Sequence, residues 1–374
     1  MLVLTEIIFA FLTSTLSATA LNGLFLKFKF LINIFDLSLI ILPFHLLGLN
    51  GLIGLIANFL LSMLNIGPCT ERLYAVLPAG VDTNTPSEIK FFIICFFPFE
   101  IFKEAKSKAE NSKFVIEDSF EDMHSKIEFT LTEKLGDLGK KIHTARSRND
   151  QVLVAMHLYL KEEIAVIKTM TYDFFKLLIK LSKQHKDKLL PGYTHFQVAM
   201  PSSFGLWFSA YAESLIDDVT LLNAARKIVD QNPLGSAAGF GSSFPIDRKA
   251  TTESMNFRDL KYNVIAAQMS RGKAEKTTAF AIASLSANLS KMANDICLYM
   301  SQEHNFISFP EDLTTGSSIM PHKKNPDVFE LIRGKSNMLQ GLPNQLILLT
   351  SNLPSGYHRE MQLTKGLIIE AIED

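Results

Sequence analysis

The chain has 374 residues, enough for one long helical body or for more than one domain. Its 37 basic and 38 acidic residues leave a net charge of -1, which gives no footing for a nucleic-acid partner. Three cysteines, Cys69, Cys95 and Cys297, have no metal or redox spacing and fit a reduced compartment without a disulfide framework.

Mean hydropathy is +0.17 and the apolar excess is uneven. Residues 7–26 and 37–70 carry no charged side chain, and residues 91–102 add an aromatic-aliphatic patch. Either long run meets the ~20 residues that a membrane helix needs. Two readings stand for residues 1–102. One is a membrane anchor of one or two helices within residues 1–70. The other, the expectation here, is a stretch that is not the native start of the soluble body.

From Lys103 the composition becomes ordinary. Phe120-Glu121-Asp122-Met123-His124-Ser125 comes first. A polar segment follows, Gly139-Lys140-Lys141-Ile142-His143-Thr144-Ala145-Arg146-Ser147-Arg148-Asn149-Asp150-Gln151-Val152. Its plain reading is a solvated loop with a helix cap at Asn149 or Asp150. Its functional reading is a clamp for a dianion. Arginine grips carboxylates through two parallel bonds, and Ser147 and Asn149 add neutral donors.

Residues 150–188 contain no Pro or Gly. Leu153, Leu160, Ile167, Phe174 and Leu181 fall seven apart, with Met156, Ile164, Met170 and Leu178 between them. That is a heptad-type seam, and it predicts a helix of roughly 55–60 Å at 1.5 Å per residue. A second helix is predicted from Pro201 to about residue 230, carrying Phe208, Leu215, Leu222 and Val229. A third covers about residues 274–299, and a fourth follows Pro326 with an interruption near Pro343. Strand signals are scarce. The predicted fold is an all-α bundle of long helices, with an atypical hydrophobic N-terminal segment. The divisions are 1–102, 103–149, 150–350 for the bundle, and 351–374 for a C-terminal start.

The loops hold the polar groups. Pro191-Gly192-Tyr193-Thr194-His195-Phe196-Gln197 joins the first two helices. Residues 232–245 form a Gly/Ser loop whose Gly239-x-Gly241 lacks the third glycine and the preceding strand of a dinucleotide site. No nucleotide, metal or other cofactor is expected. Next comes Thr314-Thr315-Gly316-Ser317-Ser318-Ile319-Met320-Pro321-His322-Lys323-Lys324-Asn325-Pro326-Asp327. It reads as a flexible loop entering a helix, with Asn325 as cap and Pro326 at the first helical position, a natural seat for a carboxylate. Tyr357, Gln362 and Lys365 close the set near the end.

Gly-Ser-Ser-x-Met-Pro-x-Lys-x-Asn-Pro resembles the mobile loop of the fumarase/aspartase superfamily of β-eliminating lyases. The Lys-Lys before Asn-Pro, and the spacing of Tyr357, Gln362 and Lys365, resemble its argininosuccinate lyase branch. The 139–152 segment and Gly-Tyr-Thr-His-x-Gln resemble two further motifs of that family, with Ala145 in place of a usual glycine. The resemblance covers about residues 103–365. It implies elimination of arginine from argininosuccinate, leaving fumarate. It further implies that His195 and Ser317 carry the proton transfers, with Ser317 favoured as base and the reverse left open. Glu330 would orient His195. Ser147, Arg148, Asn149, Thr194, Lys323, Asn325, Tyr357, Gln362 and Lys365 would bind substrate. A homotetramer with each site built from three subunits is also implied, in the cytoplasm.

Two departures bear on activity. Residues 1–102 hold no counterpart of the family's N-terminal domain, and the chain stops soon after Lys365. The expectation is a chain of low activity. The other readings are a non-catalytic family member, as in lens delta-crystallins, a membrane-tethered bundle, and a sister lyase acting on adenylosuccinate or fumarate.

Overall fold

The computed structural model describes residues 116–316, 318–320 and 322–374. The readings made for residues 1–102, and the role given to Ser317, lie outside the described residues. Among the described residues no helix is long and apolar enough to cross a membrane.

In chain order the elements are α1 (Met123–Leu135), α2 (Asp137–Lys140), α3 (Arg148–Gln184), β1 (Leu189–Thr194), β2 (Gln197–Ser203), α4 (Phe204–Val229), β3 (Gln231–Asn232), α5 (Arg248–Ser254), β4 (Asp259–Leu260), α6 (Val264–Met269), α7 (Lys273–Tyr299), β5 (Thr315–Gly316), β6 (Lys324–Asn325), α8 (Asp327–Leu349) and α9 (Thr364–Glu373). The long helices α3, α4, α7 and α8 pack side by side, as the seams predicted. The strands form three two-stranded ladders, of which β1-β2 and β5-β6 are antiparallel and β3-β4 is parallel.

α3 has 37 residues, which at 1.5 Å each makes a rod about 55 Å long. Ser147 caps it rather than Asn149 or Asp150. Ser147 is extended, and its Oγ accepts from the Asn149 N–H at 3.2 Å. Asp150 reaches back to accept from the Ser147 N–H at 2.8 Å, completing a capping box.

The apolar stripes sort into two cores along the rod. Met156, Tyr159, Leu160 and Ile164 pack with Leu222, Ala225, Val229, Ile282, Leu342, Leu346 and Ile368. Leu178 and Leu181 pack with Phe208, Ala212, Leu215, Met292, Ile296, Phe309 and Phe329. Met170, assigned to the seam by its spacing, lies on the exposed middle of α3 instead. Asp218 on α4, buried in this midsection, accepts from Ser284 Oγ at 2.7 Å and Asn288 Nδ2 at 2.5 Å on α7. A buried carboxylate with two donors fixes which turn of α4 faces which turn of α7.

Three boundaries differ from the sequence reading. Pro201 lies in β2 opposite Pro191, and α4 starts later, capped by Ser203. Proline at an edge strand loses no ladder bond that the sheet needs. Asn325 lies in β6, and Pro326, not Asn325, holds the cap position of α8 without a side-chain cap. α8 also runs through Pro343 without interruption, because buried Leu342, Pro343 and Leu346 seat that turn in the core.

α3 and α4 cross closely where a hypothetical Cβ on Gly205 would lie 2.6 Å from Lys186 Cα and 2.7 Å from the Ser182 carbonyl oxygen. Both are backbone atoms and cannot step aside. Gly205→Ala is expected to destabilise the fold by about 1–3 kcal/mol in denaturant unfolding. Gly341→Ala, at an exposed helical position with only the Gln345 side chain near, is expected to stabilise it by about 0.5–1 kcal/mol.

Candidate active site

The polar groups fall at the two ends of the α3 rod. At its N-terminal end sit Ser147, Arg148 and Asn149. The Arg148 guanidinium is 3.2 Å from Asp122 Oδ1, and its Nη2 donates to Ser125 Oγ at 3.0 Å. Arg148 thus ties α3 to the cap of α1 while remaining half-buried. The nearby His124 ring is held neutral, its pKa down to about 4. Burial is the main cause; Asp122 opposes it, and the charges of Arg148, Lys365 and His143 reinforce it. Lys365 and Arg148 are therefore close enough to act on one imidazole, although 217 positions separate them in the chain (365 − 148).

Asp150 does more than complete the cap. Its other carboxylate oxygen accepts from the Gly235 N–H at 3.0 Å and the Ala237 N–H at 2.9 Å. Burial raises its pKa, against the pull of those bonds and of Arg146. The 232–245 loop is thereby pinned to the start of α3. Arg248 ties the same loop to the segment after β4, donating to the carbonyls of Leu234, Lys261 and Tyr262 at 2.7–3.0 Å. Sequence reasoning missed both roles. The N3 acid of a capping box was a visible signal for Asp150, but nothing local marked its second set of bonds.

At the same end Tyr357, Gln362 and Arg271 form one chain of hydrogen bonds. Arg271, almost wholly buried between α6 and α7, donates through Nη2 to Gln362 Oε1 at 3.3 Å and to the Met361 carbonyl at 3.2 Å. Gln362 Nε2 in turn donates to Tyr357 Oη. The segment carrying Arg271 is held from below by His157. Its Nδ1 lies 2.8 Å from the Val229 carbonyl and its Nε2 lies 3.1 Å from Ser270 Oγ.

The opposite end carries the remaining candidates. The loop expected around His195 is a β-hairpin, and Thr194 pairs with Gln197 across a two-residue turn. His195 and Phe196 occupy that turn at φ 51° and 61°. Two left-handed residues make the mirror-image turn that suits strand twist, a place usually given to Asn-Gly. Thr194 and His195 are exposed at the tip. Tyr193 anchors the hairpin edge-on against His304, with ring centroids 5.6 Å apart.

The β5-β6 ladder closes the loop that leads into α8. The Thr315 N–H donates to Asp327 Oδ2 at 3.2 Å, and the Thr315 hydroxyl donates to the same oxygen. Asn325 Nδ2 donates to Thr315 Oγ1 at 3.3 Å. Lys323 is exposed; Lys324 pairs with Glu311 at 2.9 Å. Glu330 lies in the first turn of α8, 4.0 Å from Arg333. No ion pair joins Glu330 to His195 among the described residues, so the orienting contact implied by the resemblance is not made within one chain.

Thr194, His195, Lys323, Asn325 and Glu330 therefore share one end, since α8 begins beside the C-terminal half of α3 through Phe329 and Leu181. Ser147, Arg148, Asn149, Tyr357, Gln362 and Lys365 share the other.

The long-helix bundle with polar loops at both ends is a fold shared with solved lyases. In fold it resembles EDDS lyase with bound fumarate, at TM-score 0.65 and 18% identity over 92% of this chain and 64% of that one. It also resembles class II fumarase from Schistosoma mansoni, at TM-score 0.64 and 17% identity over 85% and 72%. Residues 100–341 match the sequence family described as Lyase, and the chain belongs to that family. Argininosuccinate lyase from Parabacteroides distasonis is 56% identical over 266 residues, 71% of this chain and 60% of that protein. The enzyme of that name from Stenotrophomonas maltophilia is 44% identical over 256 residues, 68% and 59%. The chain spans about 60% of the length of the curated relatives it matches.

His157 gives the N-terminal end a pH dependence. Burial is the main cause that takes its pKa from 6.5 down to about 4. The folded state thus refuses a proton that the unfolded chain accepts. This contribution, on the order of 3 kcal/mol, is full above about pH 6.5 and lost as pH falls toward 4. Unfolding free energy measured across that interval is expected to drop, with a shallower slope in His157→Gln.

Proposed function

We propose that the chain is an argininosuccinate lyase, catalysing reversible β-elimination of argininosuccinate to arginine and fumarate. Identity of 52–56% to argininosuccinate lyases over 266–272 residues carries this reading. The Tyr357–Gln362 pair supports it, because the two residues taken from the family motif as substrate contacts are hydrogen-bonded to each other.

The chemistry sets the residue roles. The proton leaves a carbon next to a carboxylate, so the developing charge is a dianion that needs donors and cations around it. Lys323, Asn325 and the amides at the start of α8 serve that charge. His195 and Ser317 handle the two proton transfers. His195 stands exposed at a rigid turn, where a substrate reaches it. Ser147, Arg148, Asn149, Tyr357, Gln362 and Lys365 hold the rest of the substrate. The first transfer removes the Cβ proton; as the C–N bond breaks its electron pair passes to the guanidino nitrogen, and the second transfer delivers a proton there, so that arginine leaves as a guanidinium.

Self-association is part of the proposal. His195 and Asn149 lie at opposite ends of a helix about 55 Å long, and no small substrate bridges that distance. A complete site therefore takes one end from one chain and the other end from a second. The apolar side chains exposed along the long helices, Val166, Tyr172, Ile216, Phe280, Leu331 and Met338, supply the surface for such pairing. The cysteine usage suits the cytoplasm.

Incubation with argininosuccinate is expected to release fumarate at a low rate, followed by its ultraviolet absorbance, while adenylosuccinate is left intact. His195→Ala is expected to lower the rate at least about a hundredfold. Sharing of sites is tested by mixing His195→Ala chains with Lys365→Ala chains. Reassociated mixtures are expected to regain activity that neither variant has alone. A mixture as inactive as its parts contradicts shared sites, and an inactive parent chain contradicts the substrate assignment.

A further inference from the structure

Arg271 belongs to none of the motifs that pointed to function, yet it is hydrogen-bonded to the Gln362–Tyr357 pair read above as substrate contacts. It is 2% exposed. Its Nε and Nη1 find no acceptor among the described residues, so Nη2 carries the guanidinium's hydrogen bonding, to Met361 and Gln362.

The direction of these bonds follows from what each group is able to do. A guanidinium donates and never accepts. The Gln362 atom that faces Arg271 must therefore be the amide oxygen. The amide nitrogen then lies on the other side and donates to Tyr357 Oη. A phenol oxygen that accepts in this way turns its own proton elsewhere. Tyr357 is left as a hydrogen-bond donor toward whatever lies outside the cluster. Without Arg271, the Gln362 amide is free to turn over and Tyr357 to donate inward, leaving lone pairs to face the ligand.

We propose that Arg271 is a positioning residue: through Gln362 it fixes the polarity of the relay Arg271→Gln362→Tyr357, so that the Tyr357 hydroxyl is presented as a donor to a carboxylate oxygen of the substrate. This rests on the reading that Tyr357 and Gln362 face the substrate. The competing role is purely structural, with Arg271 merely holding the 359–362 turn through the Met361 carbonyl.

The test uses the full chain labelled with 13C at tyrosine Cζ, whose shift reports whether the phenol donates or accepts. The Tyr357 resonance is assigned by its loss in Tyr357→Phe. It is expected to move in Arg271→Met and to return most of the way in Arg271→Lys. Gln362→Met, which leaves the Met361 bond intact, is expected to move it in the same direction. An unmoved resonance in Gln362→Met, or in a folded Arg271→Met, overturns the relay. With argininosuccinate as substrate, Arg271→Met is expected to raise KM at least about tenfold, with kcat changed less. In a Tyr357→Phe background the same change is expected to add less than about twofold, since the two act on one bond. Fully additive losses overturn the proposal in favour of the structural role. If the parent chain leaves argininosuccinate intact, the substrate reading fails and the resonance alone decides the relay.

Discussion

The rest of the structure depends on one constraint, the uninterrupted length of α3. Thirty-seven residues without Gly or Pro form a rod about 55 Å long, and a rod has two ends. Each apolar core gathers around one half of it, and each group of polar loops projects beyond one of those ends. The chain cannot fold back to bring Asn149 beside His195 without breaking the helix. That rigidity separates the candidate residues, which is why the proposed site draws on more than one chain.

The helices were legible because their signal is long and repetitive. Leu153, Leu160, Leu181, Phe208, Leu215, Leu222 and Val229 were all read as seam residues, and all are buried. The same spacing also named Met170, which is exposed. Period alone locates a stripe but cannot say where along it a neighbour stops covering it. The β-hairpin was illegible for a different reason. Its turn is His195-Phe196, with no Gly, Asn or Asp to announce positive φ, and Pro201 reads as a helix start when taken by itself. Motif resemblance singled out Tyr357 and Gln362 but gave no pointer to Arg271 or Arg248. Arg248 acts from the start of α5 and Arg271 from the linker between α6 and α7, pinning carbonyls 13–14 and 90 positions away, and a single sequence carries no trace of such contacts.

The strained turn at His195 fits this division. Left-handed geometry at two non-glycine residues costs on the order of 1 kcal/mol each or more, and it persists only where the surroundings dictate it. Here the flanking ladder and the Tyr193 ring against His304 do so. The imidazole is thus offered to solvent on a stiff support, although it sits in a loop.

Each polar loop repeats that device. A loop segment is tied to the helical body by one side chain with two bonds. Asp150 holds the amides of Gly235 and Ala237, Arg271 holds Met361 and Gln362, and Asp327 holds Thr315. Two of the three anchors, Asp150 and Arg271, are charged groups taken almost wholly out of water, which is costly unless their bonds are made. A buried charge of that kind has few alternative arrangements, so it selects one loop conformation over its neighbours even where it adds little net stability. The bundle supplies rigidity through its apolar seams, and the anchors transmit that rigidity to loops that have no core of their own. The placing of the loops at each end thus comes from a handful of polar contacts, and the distance between the two groups of candidate residues comes from the rod.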